Sequence, residues 1–385
     1  MERKGVEKYR PEDLVCHSNL DMIHICKRKN NTKRDFLFVN KYQGKHVPVR
    51  ADNVFKAVKS LYDLAYVKLK DKKNILCIGF AETATAIGEL FYDYALDEET
   101  GLNVSGFVTT TREKVMNDDV LYFDEAHSHA VSQRLYYNTN IVVDTIVFIE
   151  DEISTGNTIL NCVDKLSKIY PATSYYVVSF CNWQTLNNKI EFSKKNIKAI
   201  SLYQGELHNL DYKLQVDECK LKDYKNLIVD RNLSTQFKYQ TVREVITTEG
   251  MRFNNLLAKE LATYIGKTYD LTGDDFIEVV GTEEFMGLPL KVANILYNSG
   301  YRCFFHATTR SPITVATDTI ISDGVKLRSA YDKARDTYLY DLDTIPANKV
   351  IIFVEGTPTE EFVSDITNVY INQGLEINNI HLICI

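Results

Sequence analysis

Asp144-Thr-Ile-Val-Phe-Ile-Glu150-Asp151-Glu152-Ile-Ser154-Thr155-Gly156-Asn157-Thr158 decides the fold: an apolar run delivers two acids, then a turn of small polar residues opens a helix. Thr145–Ile149 has the unbroken apolarity of a strand buried on both faces, and Ile159, Leu160, Val163, Leu166 and Ile169 recur at helical spacing. The loop between them therefore sits at the carboxyl end of a strand, where open α/β sheets bind ligands. Small residues at 154–158 let backbone N–H groups converge on an anion at the helix N-terminus. Glu150 and Asp151 cannot themselves ligate phosphate, but they suit the vicinal hydroxyls of a ribose. An ordinary junction with a Thr or Ser cap accounts for the turn, but it does not need two consecutive acids on the strand end.

This order of features resembles the signature with which type I phosphoribosyltransferases bind phosphoribosyl pyrophosphate (PRPP). The resemblance implies that Glu150 and Asp151 hold the ribose hydroxyls, while Ser154, Thr155, Gly156, Asn157 and Thr158 hold the 5′-phosphate. Asn157 stands where the family often has a second Gly or a Lys, and Asn tolerates a left-handed backbone. Upstream, Ile75-Leu-Cys-Ile78 reads as a strand running into Gly79-Phe80-Ala81-Glu82-Thr83-Ala84. In the resembled family this first loop holds pyrophosphate, which assigns Ala81, Glu82 and Thr83 to it; read alone, it is a tight turn. Arg112 and Lys114 follow Thr109-Thr110-Thr111 and resemble the basic pair that opens the catalytic loop of orotate-type members. Cations there neutralise departing pyrophosphate, so Arg112, Lys114 and Asp151 are the catalytic residues implied. His127 and His129, in Phe123–Ala130, either bind a metal, contact substrate or phosphate, or belong to a solvated loop.

At 385 residues two domains are expected, and a net charge of −7 argues against a nucleic-acid surface. No apolar stretch reaches the length of a membrane helix, and the charged start Met1-Glu-Arg-Lys lacks a signal-peptide core, so a cytoplasmic location is expected. The eight cysteines are scattered without a C-x-x-C and read as reduced. Cys16, His17, His24 and Cys26 fit no zinc spacing. Residues 1–50 read as an arm or hood, with Phe36–Val39 and Val47–Val49 as short strands around Gly44. Lys45, His46 and Arg50 either reach substrate from it or are solvated charges on a hairpin.

Residues 51–205 make the first domain, 206–250 a polar connector or cap, and 251–385 a second α/β unit in the same order. Gly281, Arg310 and Glu355 parallel Gly79, Arg112 and Glu150 at offsets of 202, 198 and 205 residues. On that alignment Glu355 replaces Glu150 and Gly356 stands opposite Asp151, which marks the copy as degenerate. Thr309-Arg310-Ser311-Pro312, downstream of the PRPP-like signature, resembles the TRSP domain fused to phosphoribosyltransferases of tellurite-resistance and stress-response gene clusters. Thr309, Arg310, Ser311 and Glu355 are the candidate residues of this unit; the first three bind an anion or substrate, or fix a turn before Pro312.

The expected architecture is thus α/β: a Rossmann-like type I phosphoribosyltransferase domain followed by a degenerate phosphoribosyltransferase-like α/β domain. The expected reaction attaches ribose 5-phosphate from PRPP to a nitrogenous base and releases pyrophosphate, with PRPP and a small-molecule base as partners. The implied cofactor is Mg²⁺, carried on PRPP without dedicated protein ligands, and a homodimer is among the assemblies allowed. Purine-specific relatives often carry Asp where this chain has Ser154, which favours an orotate-like or unusual base. Two other readings stay open: a non-catalytic PRPP-binding regulator, and an N-glycosidic hydrolase or phosphorylase acting on a nucleotide.

Overall fold

The computed structural model describes residues 14–16, 22–29, 36–123, 133–172, 174–207, 216–222, 224, 237–317 and 319–385. Strands β1 (Leu14–Cys16), β2 (Ile23–Lys27), β3 (Phe36–Asn40) and β4 (Val49–Arg50) lead into helix α1 (Ala51–Leu69). Next come β5 (Ile75–Gly79), α2 (Thr85–Ala95), β6 (Val104–Thr109) and a hairpin, β7 (Val120–Phe123) with β8 (Gln133–Tyr136). The first unit closes with β9 (Thr145–Ile153), α3 (Asn157–Leu166), β10 (Ser174–Asn182), α4 (Leu186–Lys194) and β11 (Ile197–Leu207). The second unit runs α5 (Thr248–Thr268), β12 (Phe276–Gly281), α6 (Gly287–Asn298), β13 (Arg302–Ala307), a hairpin of β14 (Gly324–Arg328) and β15 (Asp336–Tyr340), β16 (Lys349–Val354), α7 (Glu360–Asn372) and β17 (Ile380–Cys384).

The first sheet has the order β1-β11-β10-β9-β5-β6, parallel except for β1. The second has the order β17-β16-β12-β13-β4, parallel except for β4. From α1 to β10 and from α5 to β17 the elements succeed one another identically, and β6-β5-β9-β10 matches β13-β12-β16-β17. The repeat holds bond by bond. Thr110 N donates to Gly79 O at 2.9 Å and Thr308 N to Gly281 O at 3.0 Å. Thr111 exchanges backbone bonds with Arg134, as Thr309 does with Tyr338.

Strand register moves one correspondence. Ile78 lies opposite Phe148 and Val280 opposite Ile352, so the third offset is 204 (148 to 352) rather than 205. Glu355 therefore occupies the place of Asp151, not of Glu150, and Gly356 that of Glu152.

Apolar residues on alternate strand positions divide the core as a period of two requires. Cys77, Val147 and Val178 of one sheet and Val279, Phe305 and Ile351 of the other face a single cluster, filled by Leu61 of α1, Leu90 of α2, Leu261 of α5 and Val292 of α6. These four helices form a layer between the sheets. The outer face of the first sheet packs Ile78 and Phe148 against Ile159, Val163 and Leu166 of α3; that of the second packs Ile352 against Phe362 and Ile366 of α7.

The two units also exchange arms. The expected hairpin between Phe36–Val39 and Val47–Val49 does not form: β3 pairs with β2, whereas Val49 and Arg50 pair with Phe305 and Phe304 of the second sheet. The turn at Gly44 (φ +68°) lies against the second sheet at this divergence, where a Cβ would lie 2.4 Å from the Phe305 ring. Reciprocally, Ile246, two residues before α5, pairs antiparallel with Phe107 at the free edge of β6. The two arms stand 197 residues apart (49 to 246), and Lys41-Tyr42-Gln43 recurs at that spacing as Lys238-Tyr239-Gln240.

Equivalent helices α2 and α6 meet where Gly287 leaves room for Glu89, since a Cβ would lie 2.0 Å from its carboxyl carbon. Glu89 is 2% exposed; burial pushes its pKa up to about 7 against the pull of Lys291. Such a group contributes stability that is complete below its ordinary value of 4.5 and is lost as pH rises through about 7. Glu89→Gln is expected to stabilise the protein at pH 8 by up to about 3 kcal/mol and to be neutral at pH 4.5. Urea denaturation at the two pH values checks this, and an equal effect at both would refute the assignment.

Candidate active site

β5 and β9 are neighbours, yet the chain leaves β5 towards β6 on one side and leaves β9 towards β10 and β11 on the other. This is a topological switch point, and the loops beyond the two carboxyl ends flank a crevice. The first loop, Ala81-Glu82-Thr83, is fixed from several sides. Ala81 N donates to Thr110 Oγ1 at 2.8 Å, Gln133 Nε2 donates to Ala81 O at 2.9 Å, and Gln43 Nε2 to Thr83 O at 3.3 Å. The Ala81–Glu82 peptide is cis. Among the described residues the Glu82 and Thr83 amides have no protein acceptor, which leaves two donors for an anion.

The second loop carries Glu150 and Asp151 at the end of β9, both half-buried. Burial raises the Asp151 pKa, and side-chain hydrogen bonds from Gln43 and Thr83 oppose that rise. Gln43 thus ties the two loops together. Gly156 is the N-cap of α3 in a left-handed conformation (φ +78°) and has no side chain to cap the helix; Thr155 Oγ1 accepts from the first helical amide, Asn157 N, at 3.3 Å. A Cβ at Gly156 would lie 2.4 Å from the Phe192 ring, so glycine is required on both backbone and packing grounds. Ser154, Thr155 and Thr158 flank this open end half-buried, and Asn157 begins the helix exposed.

Behind the crevice lies an ion network that joins the units. Lys45, wholly buried, sits 2.7 Å from Glu82 Oε1 and also donates to Glu283 O. Arg112 Nη1 is 3.5 Å from Glu82 Oε2, and Arg310 N donates to Glu82 Oε1 at 3.0 Å. Burial pushes the Glu82 pKa up, but Lys45, Arg310 and Arg112 together hold it well below the usual carboxylate range. The opposite unit mirrors this: Glu284 accepts from Arg112 N at 3.0 Å and from Thr111 Oγ1 at 2.5 Å. Glu82 and Glu284 correspond at 202 residues, Arg112 and Arg310 at 198, so each unit's glutamate caps the other's arginine turn.

Two family models match in tandem: phosphoribosyl transferase over residues 22–206, and the TRSP domain found C-terminal to it over 248–370. The chain is a phosphoribosyltransferase carrying a TRSP domain. It is therefore an enzyme of the glycosyltransferase class. No curated protein matches it. Solved structures similar to it include adenine phosphoribosyltransferases from Giardia lamblia (14% identity, 47% of this chain and 93% of that one, TM-score 0.35) and Thermoanaerobacter pseudethanolicus (13%, 47% and 95%, 0.34). That from Trypanosoma brucei is 12% identical over 47% of this chain and 76% of its own, with a TM-score of 0.32. Likeness at this level carries no argument about the base.

In the TRSP domain the equivalent crevice is occupied by its own side chains. Glu355, in the place of Asp151, pairs with Arg243 of the preceding arm, which also reaches Glu284 at 3.4 Å. The N-cap of α7, Thr359, accepts from Phe362 N with its side chain, whereas the N-cap of α3 is Gly156, which has no side chain to do so. Arg310 is spent on Glu283 (2.7 Å), Glu284 (3.0 Å) and Glu113 (3.1 Å), and Thr309 and Ser311 shape its turn through Ser311 N to Thr309 Oγ1 at 3.1 Å. Lys114 is exposed, two residues beyond Arg112. His127 and His129 lie outside the described residues. Among those described, no group of His, Cys, Asp or Glu is arranged to hold a metal, and no helix is long and apolar enough to cross a membrane.

Sequence reasoning missed Gln43, Gln133 and Arg243. The Lys-Tyr-Gln repeat marked the arms that carry Gln43 and Arg243; nothing in the sequence marked Gln133.

Proposed function

We propose that the crevice between β5 and β9 binds PRPP and transfers its ribose 5-phosphate to a nitrogenous base, releasing pyrophosphate. The carrying observation is the pairing at one switch point of a pinned loop with free amides and a glycine-capped helix start preceded by two acids. Ser154, Thr155, Asn157, Thr158 and the Gly156 backbone hold the 5′-phosphate, while Glu150 and Asp151 accept from the ribose hydroxyls. Ala81, Glu82 and Thr83 present their backbone to pyrophosphate.

Breaking the bond from C1 to pyrophosphate leaves positive charge on the ribosyl ring and negative charge on the leaving group. Catalysis is then positioning and charge stabilisation. Arg112 stands 3.5 Å from Glu82 of the pyrophosphate loop, and in this assignment exposed Lys114 closes over the leaving group. Mg²⁺ would supply charge neutralisation when bound with PRPP, held chiefly by PRPP oxygens and water. Ser154 puts no carboxylate base on the phosphate loop, which suits a base that reacts without deprotonation there, orotate-like or otherwise.

The test is incubation with PRPP, Mg²⁺ and a panel of nucleobases, with pyrophosphate as the readout. Base-dependent release supports transfer. Binding without release would point to a regulator, and release of free base from a nucleotide to a hydrolase or phosphorylase.

A further inference from the structure

We propose that the Thr309-Arg310-Ser311 turn of the TRSP domain is a positioning element for the pyrophosphate loop of the other domain, so that the TRSP domain acts as a built-in partner subunit. The inference rests on the reading of Ala81–Thr83 as the pyrophosphate loop. Arg310 N donates to Glu82 Oε1 at 3.0 Å, so the turn holds the central residue of that loop by its side chain. The guanidinium fixes where the amide points, because Arg310 Nε lies 2.7 Å from Glu283, and Nη2 lies 3.0 Å from Glu284 and 3.1 Å from Glu113. Three carboxylates on one fork leave it a single orientation.

Two further observations agree. Arg112 N and Glu284 form the mirror-image contact, so the interface is a two-fold exchange in which each half orders a loop of the other. In the TRSP domain the crevice equivalent to that between β5 and β9 is filled, since Arg243 holds Glu355 and Thr359 caps α7. What remains on its side of the interface is therefore directed at Glu82. Arg310 touches none of Ser154–Thr158, so it acts on one end of PRPP only.

Calorimetry of Arg310→Gln and Arg310→Lys with Mg²⁺·PRPP and with ribose 5-phosphate tests this. Arg310→Lys keeps the charge the carboxylates require, and it carries the same reading if the glutamine variant does not fold. PRPP affinity is expected to fall tenfold or more while ribose 5-phosphate affinity stays within twofold. Hydrogen exchange at 80–85 should quicken with 145–153 unchanged, a readout independent of PRPP. Equal losses for both ligands, or unchanged PRPP affinity and exchange, would overturn the proposal. A wild-type protein that binds ribose 5-phosphate but gains nothing from the pyrophosphate would instead overturn the underlying assignment of the loop.

Discussion

Asp151→Asn is expected to weaken PRPP binding by about 10- to 150-fold, the 1.5–3 kcal/mol typical of a hydrogen bond to a charged group. The fold should tolerate the change. Burial already raises the Asp151 pKa, so removing the charge relieves a desolvation cost, and the amide oxygen still accepts from Gln43 and Thr83. The loss falls instead on the ribose hydroxyls, which an amide oxygen accepts from more weakly. Acidification should mimic the substitution, because protonation of Asp151 sets in at a higher pH than for an ordinary aspartate. Titration calorimetry with Mg²⁺·PRPP checks both, with the thermal midpoint as control; wild-type affinity in the variant would remove Asp151 from the site.

Glu82→Gln should act on stability, by about 3–5 kcal/mol, since it leaves a buried cation without its counter-charge. Lys45 is wholly buried and, among the described residues, has the Glu283 carbonyl besides Glu82 as a close partner. The wild-type contribution of Glu82 is present at neutral pH and fades only as pH falls below its unfolded value of 4.5, towards the depressed folded one. That is the opposite sense to Glu89. Combining Glu82→Gln with Lys45→Met should restore part of the loss, because no unpaired charge then remains. Urea denaturation of the single and double variants measures the coupling, and a single-variant loss below about 1 kcal/mol would show that the network does not hold the units together.

The strand, the two acids and the open helix start were legible in 144–158 because each rests on local chemistry: apolar run, charge, glycine. Duplication was legible too, since repeated loops leave repeated residues. Its register was not: a one-residue difference decides whether Glu355 replaces Glu150 or Asp151, and only the pairing of β12 with β16 settles it. Lys45 and His46 read as solvated charges or substrate contacts because nothing local signals burial, whereas Arg50 is exposed. Lys45 becomes a buried cation only through Glu82 and Glu283, 37 and 238 residues away. The arm exchange was hidden for the same reason, although the second Lys-Tyr-Gln sat in plain view inside an apparent connector.

The proposed function requires a single open PRPP crevice per chain, formed by β5 and β9, beside a second that is closed by Arg243 and Thr359. The stoichiometry of Mg²⁺·PRPP binding to the full chain, by titration calorimetry, tests it most directly. One equivalent per chain is the predicted result; two equivalents, or one that survives disruption of Asp151, would contradict it.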